Sequence, residues 1–339
     1  MSEVLILSQT QIAQVLTMSD AIAGVEEAYR QKSAGEGCLF PLVCHVFAPE
    51  KADLDIKSGH LGKSGIYGLK LVSWFGENEK KGLPALFGTT LLFDDTTGEP
   101  VALLNAGGVT GMRTGAAGAV GAKYLARPDA RHMLMVGAGA QAPYQIAAML
   151  LALPGIETVE LNSPRSPEKA AERLEQIRAQ VAQLLGDSRT APYTLRAAED
   201  LPGAVGRSDV IVTATPSHAP LIQRDWVRPG THLSCVGADM TGKQELAGEL
   251  LAQARIFVDD LTQAIAVGEC EMPIRQGLLR PDQIAGEIGT LIAGAVPGRQ
   301  SPEEITVFDS TGIALQDLVV SKAAVDRARE LGVGAVAEL

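Results

Sequence analysis

Apolar and polar positions alternate differently in two parts of the chain, and the first part predicts a sheet of antiparallel strands. Strand-like segments occupy residues 41–47, 54–57, 67–75, 85–93 and 101–104, and the turn sequence Asp94–Gly98 separates the last two. Turns rather than helices join these strands, which favours a largely antiparallel sheet. Before them, Ser19-Asp20 followed by apolar residues at helical spacing predicts a capped amphipathic helix.

After Arg131 the pattern changes to strands alternating with helices. We predict strands at 132–136, 158–161, 210–213, 232–236, 256–259 and 305–308, with helical stretches between several of them, notably 167–185. This rhythm is typical of a parallel, doubly wound sheet, so the expected fold class is α/β. A last amphipathic helix is predicted over 312–332.

A glycine-rich stretch that begins at Thr110 connects the antiparallel strands to the alternating strands and helices, and its pattern predicts a helix. Gly111, Gly115, Gly118 and Gly121 would weaken that helix in isolation. We therefore expect the glycines to allow close approach to another backbone or to a ligand.

The strand at 132–136 runs directly into Gly137-x-Gly139-x-x-Ala142, and a helix follows. In this arrangement the first glycine makes a tight turn, the second admits a pyrophosphate, and the small third residue lets helix and strand pack closely. The motif predicts a bound nicotinamide or flavin dinucleotide; the alternative is a purely structural glycine turn. About 25 residues further on, the uncharged Asn162 and the cation Arg165 leave NAD versus NADP open, because an acid there would select NAD.

Two later strands end in residues suited to a coenzyme site. The first ends at Thr213-Ala-Thr215, and the second runs through Leu233-Ser234-Cys235-Val236 to Asp239, with Lys243 four residues later. Ligands of such sheets bind outside the carboxyl ends of the strands, where Asp239 could act as a proton shuttle and Lys243 could contact a phosphate or ribose. Alternatively, Asp239 caps a helix beginning near Gly242.

Two cations in the first half stand out because their surroundings are apolar. Lys70 lies inside the strand of residues 66–72, and Arg113 lies in the first turn of the glycine-rich helix. A buried lysine needs a partner, and a guanidinium beside helix amides can bind an anion. We expect them to capture a substrate carboxylate; structural salt bridges are the alternative.

Composition and charge argue against several classes of protein. The 339 residues predict two domains, and the net charge of −11 disfavours nucleic-acid binding. No segment is apolar enough for a membrane span or a signal peptide, which predicts a cytoplasmic protein. Four scattered cysteines and five histidines lack metal-ligand spacing, so we expect reduced thiols and no metal.

Taken together, these motifs resemble those of the ornithine cyclodeaminase/mu-crystallin family over nearly the whole length of the chain. The matching segments are 67–70, 110–117, 136–141, 232–246 and 307–317. The resemblance implies a homodimer, a Rossmann domain at 126–312, and a smaller α+β catalytic and dimerisation domain at 1–125 plus 313–339. It also implies NAD or NADP and hydride exchange at the α-carbon of a small amino or imino acid.

The resemblance further implies roles for individual residues. Lys70 and Arg113 would hold the substrate carboxylate, helped by Thr311, and Asp239 would handle the proton. The expected coenzyme contacts are Arg113, Thr114, Gly137, Gly139, Ala140, Gln141, Asn162, Arg165, Thr213, Thr215, Leu233, Ser234, Cys235, Val236, Lys243 and Ser310.

Two departures from the family pattern bear on the substrate. Many members have an arginine shortly after the proline at position 41, whereas this chain has Leu42-Val43-Cys44-His45. The ornithine-using branch has a glutamate where this chain has Lys57, and a cation there would repel ornithine and suit a distal carboxylate if it faces the pocket. The C-terminal half resembles the iminosuccinate reductase branch, which agrees with Lys57.

The sequence is therefore compatible with three functions. The first is an imino-acid reductase or amino-acid dehydrogenase, with a dicarboxylic substrate such as iminosuccinate. The second is an ornithine cyclodeaminase, which forms proline and ammonia with catalytic NAD. The third is a mu-crystallin-like binding protein without turnover, against which the retention of Lys70, Arg113 and Asp239 argues.

Overall fold

The computed structural model describes residues 2–49, 51–189 and 191–339, which form two compact units. The first unit comprises the described residues up to Arg113 together with Ile313–Leu339, and the second comprises Thr114–Gly312. The second unit is thus inserted in the sequence of the first. The domain boundary that the resemblance implies at 125/126 stays a prediction.

The strands and helices alternate along the chain as follows. The strands are β1 Glu3–Leu7, β2 Gly37–Leu39, β3 Val43–Ala48, β4 Ala52–Leu61, β5 Ile66–Phe75, β6 Leu86–Asp94, β7 Pro100–Asn105, β8 His132–Val136, β9 Thr158–Asn162, β10 Thr194–Ala197, β11 Val210–Thr213, β12 His218–Ile222, β13 His232–Cys235, β14 Gln244–Leu246, β15 Arg255–Val258, β16 Ile284–Glu287, β17 Thr306–Asp309 and β18 Ala335–Glu338. The helices are α1 Gln9–Val15, α2 Met18–Ser33, α3 Ala106–Leu125, α4 Ala142–Ala152, α5 Pro167–Leu185, α6 Leu201–Arg207, α7 Gly248–Leu251, α8 Leu261–Val267, α9 Glu271–Arg275, α10 Ile288–Ile292 and α11 Ala314–Leu331.

The first unit contains the expected antiparallel sheet. Its strand order is β18-β1-β7-β6-β5-β4-β2, with β3 also paired to β4, and only the β1–β7 pairing is parallel among the described ladders. Helix α11 packs on one face of this sheet: Leu315 lies against Gly59 of β4, and Leu318 lies against Gly68 of β5. The sheet therefore presents β4 and β5 to a buried helix.

Helix α2 begins two residues earlier than its sequence suggests. Thr17, not Ser19, is the N-cap: its hydroxyl accepts a hydrogen bond from the backbone N–H of Asp20, and the Asp20 carboxylate accepts from the backbone N–H of Thr17. This reciprocal capping box satisfies two N–H groups that lack partners within the helix. The acidic residue in the pattern is thus the third helical residue, and its carboxylate completes the capping box.

The second unit is built on the parallel sheet predicted from the alternation of strands and helices. Its order is β10-β9-β8-β11-β13-β17-β15-β16, and all its described pairings are parallel. The order reverses between β8 and β11, as in a Rossmann fold, where ligands bind beyond the carboxyl ends of the strands. The predicted α/β fold class is confirmed.

The glycines of α3 permit close packing, as the sequence suggested. A Cβ atom at Gly115 would lie 2.6 Å from the backbone oxygen of Tyr144 in α4, which no side chain could tolerate. The helix therefore contacts the backbone of α4 directly. Among the described residues, no helix combines the length and apolarity that crossing a membrane would require.

Candidate active-site residues

Lys70 and Arg113 share one carboxylate oxygen in the first unit. The Oδ1 atom of Asp317 lies 2.9 Å from Lys70 Nζ and 3.1 Å from Arg113 Nε. Asp317 is fully buried in α11, and the Lys70 and Arg113 side chains are only 4% and 10% exposed. We call these three residues the cation cluster; it combines two positive charges with one negative charge.

Besides its ion pair with Asp317, Arg113 makes a hydrogen bond to another residue of α11. Its Nη1 donates to Gln316 Oε1 at 2.8 Å, and Gln316 Nε2 donates to the hydroxyl of Tyr29 in α2 at 2.7 Å. Gln316 and Tyr29 are both buried. The guanidinium is therefore held in one orientation by neighbours on α11, which is the condition for directional binding of a carboxylate.

Lys57 lies directly opposite Lys70 in the ladder between β4 and β5. Opposite residues of an antiparallel pair have their side chains on the same face of the sheet. Lys57 is consequently on the face of the sheet that carries Lys70, whereas the strand pattern alone had left this undecided. The positive charge of Lys57 contributes to lowering the pKa of Lys70 and of Asp317.

Burial and neighbouring charges shift the pKa values of Lys70 and Asp317 in the cation cluster. Burial, the charge of Arg113 and the charge of Lys57 lower the pKa of Lys70 to about 7, against the opposing effect of Asp317. Burial alone would raise the pKa of Asp317, but the charges of Arg113 and Lys70 lower it overall. Lys70 therefore titrates near neutral pH while Asp317 remains ionised.

The predicted dinucleotide turn follows β8 in the second unit. Gly137 has a φ of +117°, and a Cβ atom there would lie 2.6 Å from the backbone oxygen of Ala214, in the loop after β11. Around Gly139, by contrast, no described residue beyond its two chain neighbours has a heavy atom within 4 Å of the position that a Cβ would occupy. Gly137 thus brings the loops after β8 and β11 together, and Gly139 leaves room for a phosphate before the N-terminus of α4.

Gln141 and Asn162 both place polar atoms near this turn. Gln141 precedes α4, and its buried Oε1 has no hydrogen-bond partner among the described residues. Asn162 ends β9; its backbone oxygen accepts from the Gly137 N–H at 2.8 Å, and its buried Oδ1 accepts no hydrogen bond from the part of the chain that the structure describes. Ala140 and Arg165 are exposed beside them. These residues fit the pyrophosphate and ribose of a dinucleotide, so the coenzyme that the sequence predicts suits the turn.

The candidate residues of β11 and β13 are mostly buried. Leu233, Ser234 and Cys235 lie inside the central strand β13, and the Ser234 hydroxyl donates to the backbone oxygen of Gly118. Val236 is partly exposed at the end of this strand. Thr213 is buried at the end of β11. Contacts of these residues with a coenzyme stay predictions. Of the four residues from Leu233 to Val236, Val236, directly after β13, has exposed surface for such a contact.

Asp239 lies on the loop after β13 and is paired with Lys243. Lys243 Nζ donates to Asp239 Oδ1 at 2.5 Å, and the Asp239 side chain is 47% exposed. The chain turns at 241–242 and enters β14, so no helix begins at Gly242. The alternative role of Asp239 as a helix N-cap is therefore wrong, and its carboxylate is partly exposed to solvent.

The remaining candidates are held by hydrogen bonds within the second unit. Ser310 and Thr311 follow β17, and their hydroxyls donate to Asp259 at 2.9 and 3.1 Å. The backbone oxygen of Thr114 accepts from Gln145 Nε2 at 2.9 Å. These contacts order the backbone around the candidates, whose roles toward substrate and coenzyme stay predictions.

Sequence reasoning did not select Asp317, the central residue of the cation cluster. Its signature resembles that of Lys70, because it is a charged residue among the apolar positions of a predicted amphipathic helix. The rule that a buried charge needs a partner would have selected it too. The same reasoning missed Glu245, which is buried at the carboxyl end of the parallel sheet.

Comparison with known proteins places the chain among enzymes of one family. The model of the ornithine cyclodeaminase/mu-crystallin family matches residues 2–332. The solved structure of an archaeal alanine dehydrogenase dimer with bound NAD is 36% identical, with a TM-score of 0.87 and full coverage of both chains. The iminosuccinate reductase of Paracoccus denitrificans, solved with NAD+, is 33% identical, with a TM-score of 0.91 and full coverage of both chains.

A third solved relative contains an amino acid. It is the Δ1-pyrroline-2-carboxylate reductase of Thermococcus litoralis in complex with NADH and L-proline, 29% identical with a TM-score of 0.89. The similarity covers 98% of this chain and 99% of that one. All three relatives were thus solved with a form of NAD, and each is named as a dehydrogenase or a reductase.

Proposed function

The chain belongs to the ornithine cyclodeaminase/mu-crystallin family, and we propose that it is an NAD(P)-dependent reductase that converts small α-imino acids to amino acids. The cation cluster carries this proposal. Its two cations share one carboxylate oxygen, and the buried cluster carries one net positive charge when Lys70 is protonated. A substrate carboxylate is the complementary group, because a desolvated anion interacts most strongly with cations that are already fixed in place.

The named activities of the relatives support the same reaction class. The names alanine dehydrogenase, iminosuccinate reductase and Δ1-pyrroline-2-carboxylate reductase each denote a redox reaction on a small amino or imino acid. The common feature of these substrates is a carboxylate next to the carbon that changes oxidation state. Lys70 and Arg113 are suited to bind that carboxylate and to orient the adjacent imine carbon.

Lys57 points to a substrate with a second carboxylate. It shares a sheet face with Lys70, so a ligand held by Lys70 would extend past a further positive charge. The distal ammonium of ornithine would be repelled there, whereas the distal carboxylate of a dicarboxylic imine would be attracted. We therefore favour a dicarboxylic substrate such as iminosuccinate over a cyclodeaminase substrate.

In the proposed reaction each of these residues has a separate role. Lys70 and Arg113 bind the α-carboxylate, and Asp239 stabilises the protonated imine or exchanges its proton. Lys243 donates a hydrogen bond to Asp239 and so holds that carboxylate in place. When bound, the coenzyme supplies the hydride that reduces the imine carbon. The Gly137–Gln141 turn and the start of α4 would hold its pyrophosphate, and Arg165 offers a cation to the 2′-phosphate of NADP.

A homodimer accounts for an exposed apolar surface of the first unit. The rings of Phe47 and Phe75 are 5.5 Å apart and connect two exposed segments. The exposed apolar side chains there are Phe40, Leu42, Val43, Val46, Phe47, Phe75, Leu83, Leu86 and Phe87. Such a patch is typical of an interface, and the archaeal alanine dehydrogenase relative is a dimer. Sedimentation of the wild-type chain as a monomer at micromolar concentration would contradict this assignment.

A substrate panel with both coenzymes tests the proposed function. Purified protein is mixed with NADH or NADPH and with the imines formed from ammonia and pyruvate or oxaloacetate, or with Δ1-pyrroline-2-carboxylate. We expect continuous consumption of reduced coenzyme, with the highest kcat/KM for the dicarboxylic imine. Release of ammonia from ornithine without net coenzyme consumption, together with no imine reduction, would instead identify a cyclodeaminase.

A further inference from the structure

Glu245 connects two loops at the carboxyl end of the parallel sheet. Its Oε1 accepts hydrogen bonds from both the backbone N–H and the hydroxyl of Thr215, each at 2.7 Å. Its Oε2 accepts from the backbone N–H of Gly237 at 3.1 Å. Thr215 follows β11 and Gly237 follows β13, so one carboxylate binds the loops of two adjacent strands.

The position of Glu245 is itself fixed by a second buried acid. Both carboxylate oxygens of Glu269 accept from the backbone N–H of Glu245, at 2.9 and 3.1 Å, and one of them also accepts from the N–H of Leu246 at 2.6 Å. Glu245 and Glu269 are both fully buried. The pair therefore forms a continuous hydrogen-bonded connection from the segment before α9, through β14, to the loops after β11 and β13.

The space around Gly237 shows how tightly this connection is built. A Cβ atom at Gly237 would lie 2.5 Å from Glu245 Oε2 and 2.5 Å from the backbone oxygen of Thr215. The two loops and the carboxylate are thus in direct contact, with no room for a side chain between them. Asp239 is two residues after Gly237 on the same loop, and its orientation depends on that loop.

Burial has an electrostatic consequence for the two acids. It raises the pKa of Glu245 to about 7, and the side chain of Thr213 and the hydrogen bonds from Thr215 and Gly237 oppose that rise. Burial and the nearby charge of Glu245 raise the pKa of Glu269 well above its usual value. Both oxygens of Glu245 act as acceptors toward Thr215 and Gly237, as the oxygens of a carboxylate do.

We propose that Glu245 is a positioning residue that holds the loops after β11 and β13 in the arrangement required for coenzyme binding and for the placement of Asp239. The inference rests on the proposed function only for Asp239. The coenzyme part depends on the location of these loops, because ligands of a doubly wound sheet bind beyond the carboxyl ends of its strands. Neither the family resemblance nor the sequence pattern had selected this residue.

The test compares Glu245→Gln with the matched control Glu249→Gln, an exposed acid in α7. Glutamine keeps one oxygen acceptor but places an amide nitrogen where a second acceptor is needed. We expect the Kd for NADH, measured by fluorescence titration without imino acid, to rise roughly tenfold to a hundredfold, the ratio that one hydrogen bond to a charged group represents. The control should keep the wild-type Kd, and thermal unfolding should show that both variants are folded.

A double-mutant cycle with Thr215→Val shows whether Glu245 acts through the loop. If it does, Thr215→Val raises the Kd in the wild-type background and adds little in the Glu245→Gln background. An unchanged Kd in folded Glu245→Gln would overturn the proposal. If that variant does not fold, Thr215→Ser, which keeps the hydroxyl, should bind NADH more tightly than Thr215→Val, and equal Kd values would overturn the proposal.

A wild-type protein that binds NADH but reduces no imine would refute the proposed function and leave this test of Glu245 intact.

Discussion

Replacing Asp317 by asparagine removes the charge that joins Lys70 to Arg113 while keeping the shape of the side chain. The affected oxygen lies 2.9 Å from Lys70 Nζ and 3.1 Å from Arg113 Nε. At an effective dielectric constant of about 20, each attraction amounts to roughly 5–6 kcal/mol. Desolvation of the buried carboxylate offsets much of this gain, so the gross sum is not the net contribution to stability.

The net loss follows from what remains after the substitution. Removing one member of a buried ion pair leaves an uncompensated charge and typically costs about 3–5 kcal/mol. Lys70 can escape part of this cost by losing its proton, because its pKa is already lowered to about 7. Arg113 cannot lose its proton. We therefore expect Asp317→Asn to lower the free energy of unfolding by about 3 kcal/mol at neutral pH.

Urea denaturation followed by circular dichroism measures this loss, with Asp326→Asn as the matched control. Asp326 is on the same helix, but it is half-exposed and pairs with Lys322 at the surface, so its replacement should cost less than about 1 kcal/mol. In a cycle with Lys70→Met, the double variant should lose less stability than the sum of the single variants. If Asp317→Asn costs no more than Asp326→Asn, the reasoning about the cation cluster is refuted.

Further predictions concern activity. In the free enzyme, Lys70 is charged below its pKa of about 7 and neutral above it, so the KM for the imino acid should stay constant below about pH 7 and then rise by up to about tenfold per pH unit; a KM that falls with rising pH would contradict the role of Lys70. Lys57→Glu should lower kcat/KM for a dicarboxylic imine on the order of a hundredfold and affect the imine of pyruvate much less; equal losses for both substrates would exclude Lys57 as a specificity residue. Asp239→Asn should reduce kcat about a hundredfold to a thousandfold while the Kd for NADH changes less than about twofold; retained turnover would remove its assigned role. Arg165→Ala should weaken NADPH binding and leave NADH binding unchanged if the arginine contacts the 2′-phosphate, as paired fluorescence titrations will show.

Local patterns predicted the parts of the fold that local physics determines. The run of apolar residues into Gly137 indicated β8 and its turn, because strand, glycine and helix are contiguous in the sequence. The alternating segments indicated β3 to β7 with ends mostly within two residues of those observed. Short strands escaped prediction: β14 has three residues, two of them polar, and its burial depends on tertiary contacts.

The candidate site shows the same limit. Lys70 and Arg113 were selected because each is a charge in an apolar context, but their common partner Asp317 lies far away in sequence, 247 positions after Lys70. No periodicity connects residues at that separation. Lys57 was ambiguous for a related reason, since only the register between β4 and β5 determines its face. Residue types could be selected from the sequence, but the contacts between residues distant in sequence and the register between strands could not.

The most direct test of the proposed chemistry follows the hydride itself. Reduced coenzyme deuterated at the transferable position is incubated with the protein and a dicarboxylic imine, and the amino acid formed is analysed by mass spectrometry. If the chain is an imino-acid reductase, the product carries deuterium at its α-carbon, in proportion to the coenzyme consumed. An amino acid formed without deuterium, or coenzyme consumed without amino acid, would contradict the account.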